Sequence, residues 1–349
     1  MDGDTLIKTK PLIVLCGLGG VGKTSLAAAC GYKAAHLGKK TLVLTVDPAK
    51  RLAQALGLQP AGLKKSSTSV QKICDLPSGG SLSALMLDPK SIFDEVIARY
   101  APNATARDAI LSNPLYQHLS GILAGSQEYM AMEKLYALVE RKEFDTIIVD
   151  TPPARHAIDF LEAPLKLTHA LNDSVLQYIL NPSLKLGKLG AKILTAFSGL
   201  TGKGILQDIA GLFGNSLQLM EGFVSRAQIV QELLRKKNTA FLLVVSARFL
   251  SFQDSLEFVR ELKDLGFHFE GTLINRAPVV VPYDPRMEES KNILLQAAMQ
   301  WMEKRKSKRQ VLEKILAPLI AQSPYHAWIP ALAENVNKLD NLLQVAKYF

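Results

Sequence analysis

Cysteine, aromatic residues and long apolar runs are all scarce in this chain of 349 residues. Its three cysteines, Cys16, Cys30 and Cys74, lie far apart, in neither a CxxC pair nor a metal-ligand spacing. That pattern argues against a disulfide framework or a thiolate zinc site and predicts small buried hydrophobes in a reducing compartment. No uninterrupted apolar run approaches the roughly 20 residues that span a bilayer, and the opening MDGDTLIKTK has no signal-peptide core. The expectation is a cytoplasmic protein without stable membrane insertion. No helix-turn-helix, zinc finger or aromatic RNA-binding signature accompanies the net charge of +9, so nucleic acid is not an expected partner. The densest basic run, Lys304-Arg305-Lys306-Ser307-Lys308-Arg309, has apolar residues on either side and reads as the solvated face of a helix.

What the chain does have is 48% hydrophobic residues against 21% charged ones, enough to build a large α/β domain with an insertion. Short apolar or β-branched runs at Pro11 to Cys16, Thr41 to Val46, Leu85 to Leu87, Thr146 to Val149, Phe241 to Val245 and Thr272 to Ile274 alternate with helix-length segments. This rhythm predicts an α/β fold with a mainly parallel sheet flanked by helices. Residues 89–141 and 164–236 depart from it, being helix-like, and predict an inserted helical subdomain on a nucleotide core of residues 1–88, 142–163 and 237–349. The glycine-rich stretches 187–190 and 199–204 are expected hinges or loops.

The chemistry begins at Gly17-Leu18-Gly19-Gly20-Val21-Gly22-Lys23-Thr24, which matches G-x-x-x-x-G-K-[ST] and lies between an apolar strand and a helix running to about Leu37. Glycines at that spacing let backbone N–H groups converge on phosphate oxygens at the positive end of the helix. Gly19, Gly20, Val21, Gly22, Lys23, Thr24 and Ser25 are therefore the expected ATP/ADP contacts, with Lys23 on the β- and γ-phosphates and Thr24 on Mg²⁺. Asp150 ends the run Thr146 to Val149 and is the expected second carboxylate of the magnesium shell. Asp47 follows a strand near the same edge and is the candidate base that deprotonates the attacking water.

With these motifs the chain resembles the ATPases that drive arsenite pumps and deliver tail-anchored membrane proteins. That family's loop is GKGGVGKT, its first switch begins DPAHS and its second reads DTAPTGHT. Gly17 to Thr24, Asp47-Pro48-Ala49-Lys50-Arg51 and Asp150-Thr151-Pro152-Pro153-Ala154-Arg155-His156-Ala157 stand at those places, and the likeness covers nearly the whole chain. The resemblance implies a dimer that opens and closes with nucleotide state. It also implies that Asp47 positions the attacking water and, with Thr24 and Asp150, holds Mg²⁺ partly through water, that Asp150 starts a switch, and that Asn275, Pro330 and Ala331 border the adenine, the last two within Ile329-Pro330-Ala331-Leu332-Ala333.

Two departures qualify it. Where the family carries a second lysine that reaches the partner's nucleotide, this chain has Leu18, which cannot stabilise transition-state charge. Either hydrolysis is slow, or another cation such as Arg155 substitutes, or a different subunit supplies the lysine. The chain also lacks the paired thiols of the zinc-bridged and arsenite-binding relatives, and His156 reads as a hydrogen-bonded structural residue. Ile205-Leu206, Ile209, Leu212-Phe213, Leu217, Leu219-Met220 and Phe223 have roughly helical spacing. They suit an apolar client groove or ordinary helix packing. The functional expectation is an ATPase whose nucleotide-driven opening and closing as a dimer, either a homodimer or a heterodimer with a paralogue, handles an unidentified client or partner. Its rivals are a regulatory or scaffolding subunit paired with a lysine-bearing paralogue, and a partition-type ATPase, whose membrane-targeting terminal helix Val336 to Phe349 does not resemble.

Overall fold

The computed structural model describes residues 1–46, 51–56, 69–101, 103–112, 127–152, 158, 161–162, 217–248, 252–281, 292–331 and 339–349. Asp47, Arg155, His156, Leu332, Ala333, the two glycine-rich stretches and the apolar positions 205–213 lie outside them. Chain order runs α1 (Gly3–Thr9), β1 (Leu12–Cys16), α2 (Lys23–His36), β2 (Lys40–Thr45), α3 (Arg51–Ala55), β3 (Gln71–Asp75), β4 (Ser81–Met86), α4 (Pro89–Tyr100), α5 (Ala104–Ser112), α6 (Gln127–Arg141) and β5 (Thr146–Asp150). It continues through α7 (Leu217–Leu234), β6 (Thr239–Ser246), α8 (Phe252–Asp264), β7 (Phe269–Ala277), α9 (Ile293–Ile320), β8 (Tyr325–Pro330) and α10 (Leu339–Ala346).

These strands make one sheet in the order β3-β4-β2-β5-β1-β6-β7-β8. Every neighbouring pair is parallel except β3 with β4. Successive strand residues point to opposite faces, and the core divides accordingly. Leu12, Val14 and Cys16 of β1 join Phe241, Leu243 and Val245 of β6 on one face. Ile13 and Leu15 join Leu242 and Val244 on the other. Helices cover both, with Ile92 of α4, Met130 of α6, Val230 of α7, Val259 of α8 and Leu316 of α9 on the first face. Leu6 of α1, Leu26 of α2 and Leu342 of α10 lie on the second. Because both faces are buried, the central strands are continuous apolar runs, as expected for a parallel sheet.

Three elements depart from the expectation. The strand expected at Leu85 to Leu87 begins at Ser81, because Ser81 and Ser83 interrupt its apolar run. β3 is an antiparallel edge strand with no fully buried position, so it has little hydrophobic signal. β8 carries the sequence Tyr-His-Ala-Trp-Ile-Pro and takes in Ile329 and Pro330, so only the residues from Ala331 onward can belong to the loop expected there. Cys16 and Cys30 are buried as expected, whereas Cys74 on β3 is half-buried.

The basic run lies within α9, where Arg305 stacks on Trp301 at 3.9 Å and Arg309 on Trp328 at 3.3 Å. No helix among the described residues is long and apolar enough to cross a membrane. The helices on the first face are also joined by polar contacts. Arg226 Nε of α7 donates to both carboxylate oxygens of Glu133 on α6, at 3.0 and 2.8 Å, while its guanidinium covers Tyr100 of α4 at 3.9 Å. One turn further on, Gln231 donates to the carbonyl of Leu161 at 3.2 Å. That bond ties α7 to the segment that follows Asp150.

Candidate functional site

The sheet register brings the site together. At the carboxyl edge, Leu15 and Thr45 both sit opposite Asp150, Cys16 sits opposite Leu243, and Ser246 sits opposite Asn275. β1 therefore ends between β5 and β6, and the chain leaves it as the glycine loop. Gly17 has φ of 148°, and a Cβ there would stand 2.3 Å from the Val244 carbonyl oxygen. Val21, only 2% exposed, anchors the loop in the core, whereas Gly19 and Gly20 are exposed and a Cβ on either would meet no atom within 4 Å. α2 starts at Lys23 with Gly22 as its N-cap, no side-chain cap and no acidic residue in its first turn. Its first N–H groups and its positive end are thus directed at the loop.

Lys23 is buried, and its Nζ donates to the carbonyls of Gly17 at 2.9 Å and Leu18 at 3.0 Å. The ammonium is held over the loop by the loop's own backbone. Thr24 and Ser25 follow in the first turn and are half-buried. Asp150 is 1% exposed and accepts a hydrogen bond on Oδ2 from Thr45 Oγ1 at 3.0 Å. Thr151 donates to the Leu15 carbonyl at 2.8 Å, closing β5 onto β1. Cys16 lies among these groups. Burial pushes its thiol up to about 12, against the opposing influence of a Thr151 hydrogen bond and the charge of Lys23, so it stays protonated and is no nucleophile.

On the other side of the loop, Asn275 Nδ2 donates to the Val21 carbonyl at 2.8 Å. Pro330, the last residue of β8, pairs with Ala277 of β7, and Ala331 N donates to the Ala277 carbonyl at 3.3 Å. Asn275, Pro330 and Ala331 therefore lie on adjacent strand ends beside the loop. Sequence reasoning missed Thr45 as the partner of Asp150. It also missed the bond from Asn275 to Val21, which spans 254 positions and leaves no local signal. Hydroxyl and carboxylate oxygens such as those of Thr24 and Asp150 are hard donors of the kind that suits Mg²⁺, and the glycine loop suits a polyphosphate.

A glycine loop between a central parallel strand and an uncapped helix, with a buried lysine and a neighbouring strand-end aspartate, defines a P-loop nucleoside triphosphatase. Residues 10–348 match the family model described as Anion-transporting ATPase. The chain belongs to that family and is an ATPase. It is 25% identical over 347 residues to the ATPase GET3 of Malassezia globosa, covering 96% of this chain and 89% of that protein. It is 27% identical over 273 residues to the ATPase get3 of Aspergillus terreus, covering 77% and 74%. The likeness to the ATPase ASNA1 homolog of Entamoeba dispar is 24% over 297 residues, covering 82% and 81%.

Proposed function

We propose that this chain binds Mg-ATP on the loop 17–24, hydrolyses it to ADP, and uses the change in nucleotide state to open and close a dimer that handles a partner with an apolar segment. The observation that carries this reading is Lys23, buried and held over the glycine loop beside the Thr45–Asp150 pair. In the proposed complex the N–H groups of residues 19–25 and the Lys23 ammonium neutralise the β- and γ-phosphates. Thr24, Asp47 and Asp150 are the residues that would hold a magnesium ion, partly through water, and the ion would supply positive charge to the phosphate oxygens. Asp47, two residues beyond Thr45, orients the water that attacks the γ-phosphorus and takes its proton as the bond to the β–γ bridging oxygen breaks. Asp47→Asn keeps the shape and loses the basicity. ATP affinity is expected to stay within about twofold while turnover falls roughly 100-fold or more; wild-type turnover in that variant would move the base elsewhere.

Residues 89–141 and 164–236, expected from the sequence to form an inserted helical subdomain, are the proposed partner-bearing part of the chain. The resemblance to ATPases that deliver tail-anchored membrane proteins supports an apolar client there. The bond from Gln231 to Leu161 connects α7 directly to a residue of the segment following Asp150.

One observation favours a second reading, a nucleotide-binding subunit that hydrolyses ATP weakly. Leu18 is half-buried and packs against both core clusters of its own chain, so it presents no charge to a neighbour. Leu18→Lys in the pure chain is expected to raise turnover at least tenfold, set against the roughly 10³-fold or more that a cation supplied across an interface gives in GTPases. An unchanged rate would show that charge stabilisation comes from elsewhere, with Arg155 the first residue to replace.

A further inference from the structure

We infer that Asn275 is a positioning residue for the phosphate loop, setting the affinity for the polyphosphate whatever base is attached to it. This deepens the phosphate-loop reading above and rests on it. Val21 lies between Gly20 and Gly22, whose φ values of 75° and 98° place both in the left-handed region. These are the backbone torsions that a glycine-rich segment holds least firmly. They decide where the Val21 carbonyl points, and a carbonyl turned into the cradle would meet phosphate oxygens with like partial charge. Asn275 settles the direction, because its buried Nδ2 donates to that carbonyl at 2.8 Å.

The fit is close on both sides. A Cβ on Gly22 would stand 2.3 Å from Asn275 Nδ2, so the amide rests directly on the residue that opens α2. Asn275 is itself fixed, since its Oδ1 accepts from Arg276 N at 2.9 Å and its carbonyl accepts from Ala247 N at 2.9 Å. Arg276 has φ of 57°, a conformation that costs a non-glycine residue free energy and is kept only where its surroundings enforce it. The bond to Asn275 Oδ1 is one such enforcement. A rigid path thus runs from the end of β7 through Asn275 to Val21 and Gly22, and on to the first N–H groups of α2.

The test compares wild type, Asn275→Ala and Asn275→Asp in calorimetric titrations with Mg-ATP, Mg-GTP and inorganic tripolyphosphate, alongside hydrogen exchange of the free protein. Removing the donor is expected to weaken tripolyphosphate about tenfold, and the two nucleotides by at least that factor because Asn275 also lies where the adenine is expected. The aspartate, which sets an acceptor against the Val21 carbonyl, is expected to weaken them more. Exchange should accelerate in residues 17–26 alone, with the melting temperature little changed. Unaltered tripolyphosphate binding with a collapsed ATP-to-GTP preference would overturn the inference and leave Asn275 as a reader of the base. Accelerated exchange throughout the chain, or a large drop in melting temperature in both variants, would overturn it in favour of a general structural role. Wild-type protein that binds none of the three ligands would instead defeat the phosphate-loop reading itself.

Discussion

Lys23→Ala is expected to weaken ATP binding by roughly 100-fold or more, because charge-assisted hydrogen bonds to phosphate contribute about 1.5–3 kcal/mol each. The side chain is 8% exposed and spans the loop, donating to Gly17 and Leu18 carbonyls. Its replacement removes a charge from the site and two ties from the loop. Lys23 lies at the loop-facing end of α2, whose remaining turns pack Leu26, Ala27, Ala28 and Ala29 into the core, so the fold should survive. Calorimetry gives the affinity, and far-UV circular dichroism with a melting curve checks the fold. Undiminished affinity in a folded variant would remove the lysine from the site.

The second large effect is one of stability. Glu133 and Arg226 are 5% and 8% exposed, and they join α6 to α7 beneath Tyr100. Glu133→Ala leaves a guanidinium buried without its carboxylate, a change that costs about 3–5 kcal/mol in comparable sites and lowers the melting temperature on the order of 5 °C in a chain of this size. Replacing both members with Leu and Met should recover most of the loss, since such pairs exchange with apolar residues at little net cost. A melting temperature unchanged in the single variant would contradict the burial.

The same pair predicts a pH dependence. Burial raises the Glu133 carboxyl above its ordinary value of 4.5, and the hydrogen bond and charge of Arg226 only partly oppose it. The folded protein therefore holds this proton in a range where the unfolded chain has released it. Stability from this group is greatest below the ordinary carboxyl range and falls as pH rises through the raised folded value. The stability of wild type relative to Glu133→Gln should accordingly decline as pH rises through that window. A difference that grows with pH would reverse the assignment.

The parts of the fold that were legible in the sequence are those where local pattern and tertiary environment agree. β1, β2, β5, β6 and β7 are buried on both faces, so each appears as an apolar run, and glycine punctuation marks the loop and the start of α2. β3 is an exposed edge and β8 mixes aromatic, histidine and proline residues, so neither carries an unbroken pattern. α1 is too short, at seven residues, for its periodicity to stand out. The candidate site divides in the same way. Lys23, Thr24 and Asp150 announce themselves through the motif and strand that hold them. Thr45 acquires its place beside Asp150 through pairing of β2 with β5, and Asn275 reaches Val21 only after β6 and β7 are laid beside β1. The Glu133–Arg226 pair joins helices distant in sequence, and nothing near either residue marks it.

The most direct test of the central proposal is phosphate release by the purified wild-type chain at saturating ATP, measured with magnesium and again after chelation with EDTA. The expected result is steady release that stops on chelation and is inhibited competitively by ADP, since Thr24 and Asp150 are proposed to hold the ion between phosphate and protein. Release that is indifferent to EDTA, or nucleotide binding with no release at any magnesium concentration, would contradict it.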